Sequence, residues 1–186
     1  VAEGYQRIAE LDPLRKGFYR EAEASCQLRL RSMAWLTRGF DERLDLNGLA
    51  LRQLSPAMVP PIFGVRRLDV SRAGLTVLGP LLQLSSLQEL VVAENGLAGD
   101  LREVFCLPRL RLLDARGNAF QLREVTEPPS PPDSLREVEV SANPAILDLM
   151  SANGEEAVLA RFSRSGGGWA VCSDPAASRC TLRRSL

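Results

Sequence analysis

The sequence has no histidine and a single lysine among its 186 residues. Without imidazole there is no Ser-His-Asp or Cys-His nucleophile pair, no zinc site that requires a histidine ligand, and no titration switch near about pH 6.5. Lys16 is the one lysine and the other 22 basic side chains are arginines, a bias that we attribute to genomic base composition. Imidazole chemistry is therefore excluded.

The sequence also has no long apolar run and few cysteines. No stretch approaches the roughly 20 apolar residues of a membrane span, and no signal-peptide pattern opens the chain. The four cysteines are too scattered for a metal cluster and too few for a disulfide scaffold: Cys26, Cys106, Cys172 and Cys180. We therefore expect reduced thiols and a cytoplasmic protein, with a Cys172–Cys180 disulfide as the alternative.

Motifs that carry chemistry are missing as well. We find no glycine-rich phosphate loop, no metal-ligand spacing and no paired carboxylates in a recognisable catalytic setting. The sequence therefore predicts no catalytic residue, no metal and no cofactor in this chain.

Leucine, by contrast, is in excess, with 31 residues, and it recurs periodically. The pattern L-x-x-L-x-L-x-x-N-x-L fits in five registers, whose central strand residues are Leu44, Leu68, Leu90, Leu113 and Val138. The steps between them are 24, 22, 23 and 25 residues. This spacing predicts an α/β fold, a leucine-rich-repeat solenoid in which about five repeats form a right-handed β-α superhelix.

Asparagine follows the last three of these strands. Asn95, Asn118 and Asn143 each come five residues after the central strand position, where their amides can hydrogen-bond backbone groups from one repeat to the next. Leu49 and Ala73 occupy that position in the first two repeats, which we expect to be less regular.

The flanking segments predict the domain organisation. Residues 1–39 form a helical segment and N-terminal cap, 40–145 the repeats, 146–165 a helical C-terminal cap with a turn at Asn153–Gly154, and 166–186 a Gly-rich linker and flexible tail. Asp12 and Pro13 start the cap helix. In it Leu14, Phe18, Ala22 and Cys26 recur at helical spacing, and the segment continues through Met33, Trp35 and Leu36 to Gly39. Since the chain begins at Val1 without methionine, we expect a piece of a longer protein.

A proline-rich insert at 126–134 interrupts the repeats. It cannot be helical, and it predicts a stiff surface excursion. A role as a ligand of SH3 or WW domains is the alternative.

The strand positions that flank the buried leucines line the predicted concave face. We predict that this face binds a protein partner through Arg43, Asp45, Arg67, Asp69, Glu89, Asp114, Arg116, Glu137 and Glu139. The site would suit a basic or mixed-charge partner, and the alternative is a solvated face that pairs with itself. Residues 44–160 carry 10 basic and 15 acidic side chains, which argues against nucleic acid as a ligand.

A motif near the start resembles a known family. The stretch Tyr5-x-x-Ile8-x-x-Leu11-Asp12-Pro13-Leu14-Arg15-x-x-Phe18-Tyr19 is similar to the end of the helical domain in alpha subunits of Rab geranylgeranyltransferase. In that family a connector about as long as residues 20–43 leads into about five leucine-rich repeats. The resemblance covers roughly residues 5–145.

The resemblance implies a non-catalytic domain within a prenyltransferase. The complex transfers geranylgeranyl groups to C-terminal cysteines of Rab GTPases, which the Rab escort protein presents. Zinc and geranylgeranyl diphosphate are expected on the beta subunit. The family's Pro-x-Asn-Tyr-x-x-Trp pattern is absent, so no catalytic or beta-contacting residue is carried over. The alternative is a free-standing cytosolic or nuclear repeat scaffold that binds a phosphatase, a ribonucleoprotein or a cytoskeletal protein.

Overall fold

The computed structural model describes residues 16–38, 43–51, 64–126, 129–163, 168–174 and 179–185. In chain order its helices and strands are α1 (Lys16–Arg38), β1 (Leu44–Asp45), β2 (Arg67–Asp69), a 3₁₀ helix (Gly79–Gln83), β3 (Glu89–Val91), β4 (Ala98–Asp100), a second 3₁₀ helix (Leu101–Cys106), β5 (Leu112–Asp114), β6 (Ala119–Gln121), β7 (Glu137–Glu139), α2 (Pro144–Phe162), β8 (Trp169–Asp174) and β9 (Arg179–Arg184).

The main sheet has seven strands in the order β1-β2-β3-β5-β7-β9-β8. The first five are parallel, and β9 and β8 are antiparallel additions. The partners across the parallel strands are the central residues of the repeat pattern: Leu44, Leu68, Leu90, Leu113 and Val138. The predicted α/β class is confirmed as a mostly parallel mixed sheet with two main helices.

The core lies on one side of this sheet. Leu68, Leu90 and Leu113 are completely buried, because alternate residues of a strand point to opposite faces. The chain returns along the far side of the core through the two 3₁₀ helices, and β4 and β6 pair there as a separate two-stranded parallel sheet. None of the helices in the described ranges is long and apolar enough to cross a membrane.

Each of the five parallel strands is followed by a turn with one residue in the left-handed region. These residues are Gly48, Arg72, Glu94, Gly117 and Ala142, with φ between 53° and 73°. Three of them are not glycine, and L-residues adopt this conformation at a cost of about 1–2 kcal/mol. The bend turns the next residue of the chain toward the core.

That next residue is asparagine in the last three turns, and its amide is surrounded by backbone. Asn118 Nδ2 donates to the carbonyls of Val92 (2.9 Å), Ala115 (3.1 Å) and Arg116 (3.0 Å). Its Oδ1 accepts from the N–H of Leu97 (3.1 Å). Asn95 and Asn143 make the corresponding bonds in their own turns. Each amide therefore joins its own turn to the preceding strand and turn, and satisfies groups that water does not reach.

Helix α1 packs against the core through a face other than the one that carries Phe18. It buries Ala24, Leu28 and Trp35, whereas Phe18 is 66% exposed and Met33 also 66%. The two faces are about a third of a turn apart around the helix, and Leu28 and Trp35 belong to the core that contains Leu44. The helical spacing that includes Phe18 therefore does not mark the face that meets the core, because a second apolar stripe has the same spacing. Leu14 and the Asp12-Pro13 start lie outside the described residues.

Helix α2 bends where the sequence predicts a turn. Gly154 has a non-helical conformation within it (φ 80°, ψ 176°). The helix begins earlier than residue 146, with Asn143 as N-cap and Pro144 in its first turn. With the helix starting at Pro144, Ala145 is exposed and Ile146 is buried.

A buried arginine ties α2 to the rest of the fold. Arg102 is 6% exposed, and it pairs with Asp100 and donates to the carbonyls of Arg161 (3.1 Å) and Arg123 (3.0 Å). Burial acts to raise the pKa of Asp100, but hydrogen bonds from Arg102 outweigh it and hold that pKa below its ordinary value. The carboxylate therefore stays ionised beside the guanidinium.

The C-terminal segment differs from the predicted flexible tail. Strands β8 and β9 form an antiparallel hairpin, and β9 pairs with β7. The hairpin is ordered because alternate side chains reach the core: Trp169, Cys180 and Leu182 are buried, and the Trp169 and Phe162 rings lie 5.0 Å apart. The predicted linker residues Gly166 and Gly167 lie outside the described residues.

The hairpin register also decides between the two thiol predictions. Cys172 lies opposite Thr181, and Cys180 lies opposite Ser173. Alternate residues face opposite sides of the sheet, so Cys172 and Cys180 point away from each other. Both thiols are free, Cys172 exposed and Cys180 buried.

The proline-rich insert has no helix in its described part. Ser134 Oγ donates to the carbonyls of Pro108 (2.9 Å) and Leu110 (2.8 Å), and Pro131 is buried. The insert therefore packs against the segment around Pro108 and Leu110, which follows the second 3₁₀ helix. Residues 127 and 128 lie outside the described ranges.

Candidate protein-interaction surface

The sheet face opposite the core carries the predicted partner-binding residues. We call it the open face, and define it by the residues that flank the buried centre of each strand. One row of it runs Asp45, Asp69, Val91, Asp114 and Glu139, which are register partners on adjacent strands. Strand β9 continues the row with Thr181. A second row contains Arg67, Glu89, Leu112, Glu137 and Arg183.

The carboxylates of the first row also support the turns that follow their strands. Asp69 Oδ1 accepts from the N–H of Ser71 (3.0 Å), and Asp114 Oδ1 accepts from the N–H of Arg116 (3.2 Å). The Asp45 side chain makes the same bond to the N–H two residues on. The side chains of Asp69 and Asp114 are only 15% and 14% exposed. These residues are therefore part of the local structure and not only a charged surface.

Arginines neutralise the N-terminal half of the open face. Arg43 lies 3.7 Å from Asp69 and 3.4 Å from Glu89, and Arg67 lies 3.3 Å from Glu89. All the pairs are partly exposed, so each contributes little to stability, about 0–1 kcal/mol. They do fix where positive and negative charges stand on the surface.

The C-terminal half is paired in a different way. Arg116 donates to both carboxylate oxygens of Asp114, from Nε to Oδ1 at 2.9 Å and from Nη2 to Oδ2 at 2.7 Å. The hydrogen bond to Asp114 raises the pKa of Arg116. Glu137 pairs with Arg183 at 3.2 Å. Glu139 accepts instead from the Thr181 hydroxyl at 2.6 Å.

A shallow depression of about 670 Å³ lies on this C-terminal half. Carboxylates and two arginines surround the apolar side of Leu112, and the lining includes Glu94, Asp114, Arg116, Glu137, Glu139 and Arg179. Apolar surface ringed by charges of both signs is typical of protein-binding patches. Asp45 lies at the other end of the face, where Arg31 of α1 approaches it to 3.9 Å.

Sequence reasoning missed the residues that the hairpin and α1 contribute. Arg31, Arg179, Thr181 and Arg183 all border the open face. A weak signal for these strands exists in the sequence, because apolar residues alternate at Cys180 and Leu182 and Pro175 precedes them. Arg31 has no comparable signal.

No group of three acidic or cysteine side chains in the described ranges is arranged to hold a metal ion. Comparisons with protein-family models, curated proteins and solved structures give no match for this chain. Its function must therefore be inferred from these residues. The open face offers paired charges and a small apolar patch, which suit docking of another protein.

Proposed function

We propose that the chain is a non-catalytic protein-interaction domain, built as a leucine-rich-repeat solenoid of about five repeats with helical caps. The regular spacing of the in-register parallel strands supports the solenoid. The observation that carries the proposal is the set of asparagine amides that bond backbone groups between adjacent turns. Short repeats that stack on one another in this way generally form binding surfaces and not catalytic sites.

The open face is the proposed binding surface, and its partner is a protein surface of mixed charge. Most of the predicted carboxylates already have an arginine within 4 Å, which disfavours a purely basic partner. A partner that exchanges these pairs for its own charges keeps both signs matched, while the Leu112 patch supplies apolar contact.

Charge reversal tests this surface. Glu89 and Glu137 pair only with arginines among the described residues, so Glu89→Arg and Glu137→Arg leave the turn hydrogen bonds intact. Immobilised protein is incubated with cell extract and captured proteins are quantified. We expect the double variant to lose captured proteins that the parent and the control Glu156→Arg, an exposed α2 position, retain. Identical capture by all three would contradict the proposal.

For the parent protein, we propose the alpha subunit of Rab geranylgeranyltransferase. The motif from Tyr5 to Tyr19 supports this, and of it only residues from Lys16 onward are described, within α1. The catalytic zinc and the isoprenoid would be on the beta subunit. Rab with its escort protein would be the substrate complex of the whole enzyme.

The encoding transcript separates this parent from a free-standing repeat scaffold. A prenyltransferase alpha subunit requires helical repeats with the Pro-x-Asn-Tyr-x-x-Trp pattern upstream of Val1. Their presence is the expected result. A start codon directly before the cap helix would favour the scaffold.

A further inference from the structure

Strand β8 leaves an open edge on the main sheet. Among the described residues no strand lies beyond it, since the sheet order ends at β8. At six residues it is the joint longest strand, and all six pair with β9. An open edge presents unpaired backbone groups that can pair with a strand from another chain.

The hydrogen-bond pattern identifies which backbone groups are free. Val140 N–H donates to the carbonyl of Cys180 (2.9 Å), and Arg184 N–H donates to that of Arg136 (2.9 Å), so the even-numbered residues of β9 bond β7. The odd-numbered residues of β9 must then bond β8, through Ala170, Cys172 and Asp174. The N–H and C=O groups of the alternate residues Trp169, Val171 and Ser173 consequently point outward.

Among the described residues, this edge has none of the usual protection against pairing. Folded proteins guard an edge with lysine, proline, inward charges, bulges or a covering helix. Residues 169–173 have no charged side chain and no proline, and their pairing with β9 runs without a bulge.

From this we propose that two copies of the chain pair edge to edge through β8, antiparallel, around a twofold axis at Val171. This register uses every outward group, because Val171 pairs with Val171 of the other copy and Trp169 with Ser173. It also places the C-terminal end of one β8 strand beside the N-terminal end of the other, where Trp169 pairs with Arg184 of β9. Parallel pairing would align like ends. Closed twofold dimers are the commonest assemblies of soluble chains.

Removing one outward N–H tests the proposal. Val171→Pro deletes a donor that has no partner among the described residues, and edge strands tolerate such a proline. Sedimentation equilibrium should give twice the chain mass of 20.4 kDa for the parent and the single mass for Val171→Pro, while Val171→Ala stays dimeric. A monomeric parent at millimolar concentration, or a dimeric Val171→Pro, overturns the proposal.

A second variant keeps the proposal testable if Val171→Pro does not fold. Cys172 is exposed, so Cys172→Lys leaves every backbone group in place and adds like charges on diagonal positions about 7–8 Å apart across the axis. We expect a folded monomer. A folded dimer of Cys172→Lys would refute edge pairing even if Val171→Pro unfolds.

Cross-linking checks the register. A short bismaleimide should join two copies through Cys172, and Cys172→Ser should remove the covalent dimer while Cys106→Ser keeps it. A covalent dimer that persists in Cys172→Ser would place the interface elsewhere.

Discussion

The two ends of the main sheet are finished in different ways. At the N-terminal end β1 has two residues, and Arg31 of α1 donates to the carbonyls of Asp45 (3.3 Å) and Asn47 (3.2 Å) beside it. At the C-terminal end the β8–β9 hairpin extends the sheet and leaves a longer edge. The comparison teaches that a helix can close an edge, whereas a hairpin only moves the edge outward.

The largest effect is expected at the C-terminal end. Phe162 is fully buried, and its ring lies 5.2 Å from that of Phe105 and 5.0 Å from that of Trp169. Phe162→Ala should cost about 3–5 kcal/mol of unfolding free energy, because the cavity would separate α2 from the hairpin. Urea denaturation measures it. Phe18→Ala, at an exposed position, is the matched control, and equal losses in both would show that the aromatic cluster does not hold this end.

The middle of the sheet should respond next. Asn118→Ala leaves buried carbonyls and the N–H of Leu97 without partners, and each unsatisfied group costs about 1–3 kcal/mol. We expect a total loss of about 2–4 kcal/mol by urea denaturation. Asn47, which is partly exposed, serves for comparison: Asn47→Ala should change stability by less than about 0.5 kcal/mol. If Asn118→Ala left the free energy of unfolding unchanged, water would have replaced the hydrogen bonds of the amide.

High pH should weaken the C-terminal end selectively. Burial, with smaller effects of Glu139 and Glu155, raises the pKa of Cys180 to about 11 from its ordinary value of 9.0. The folded state holds the proton more tightly than the unfolded state, so this stabilisation is complete below pH 9.0 and is lost as the pH rises toward 11. Two pKa units correspond to about 2–3 kcal/mol.

Thermal melts between pH 8 and 11 measure this loss, with Cys180→Ala as the control. The parent should lose more stability than Cys180→Ala over that interval. Parallel curves would show that the thiol does not ionise on unfolding.

The smallest effect belongs to the N-terminal end. Arg31→Met keeps the apolar stem but removes the bonds to the β1 carbonyls, which should cost about 1 kcal/mol. Hydrogen exchange should accelerate at the amides of β1 and its neighbour β2, and remain unchanged in β7 and β9. Faster exchange throughout would mean that this end is not independent of the other.

The sequence was sufficient for the strands and insufficient for the ends. The 22–25-residue spacing locates all five parallel strands, because a buried leucine in every turn of the chain is a strong repeated signal. Helix α1 has two apolar stripes, so spacing alone could not say which one meets the core. The sequence did not predict the hairpin, because Gly166–Gly168 is typical of a linker and residues 175–178 contain no Asn-Gly pair.

The open face, too, could be predicted only in part from the sequence. The register placed the predicted carboxylates and arginines on one surface, since strand alternation fixes which residues share a face. Their mutual pairing, and the depression that Arg179 borders, depend on side-chain positions and on the hairpin. Periodicity carries no information on either.

The left-handed turns have a consequence for what shapes the sequence. Arg72 and Glu94 both have φ of 53°, and they bond each other at 2.9 Å on adjacent turns. An exposed ion pair of this kind adds little stability, and it does not outweigh the backbone cost of holding two L-residues in the left-handed region. Glycine would serve the fold at least as well at both positions. The side chains of Arg72 and Glu94 are therefore explained by contacts with other molecules and not by the stability of this chain.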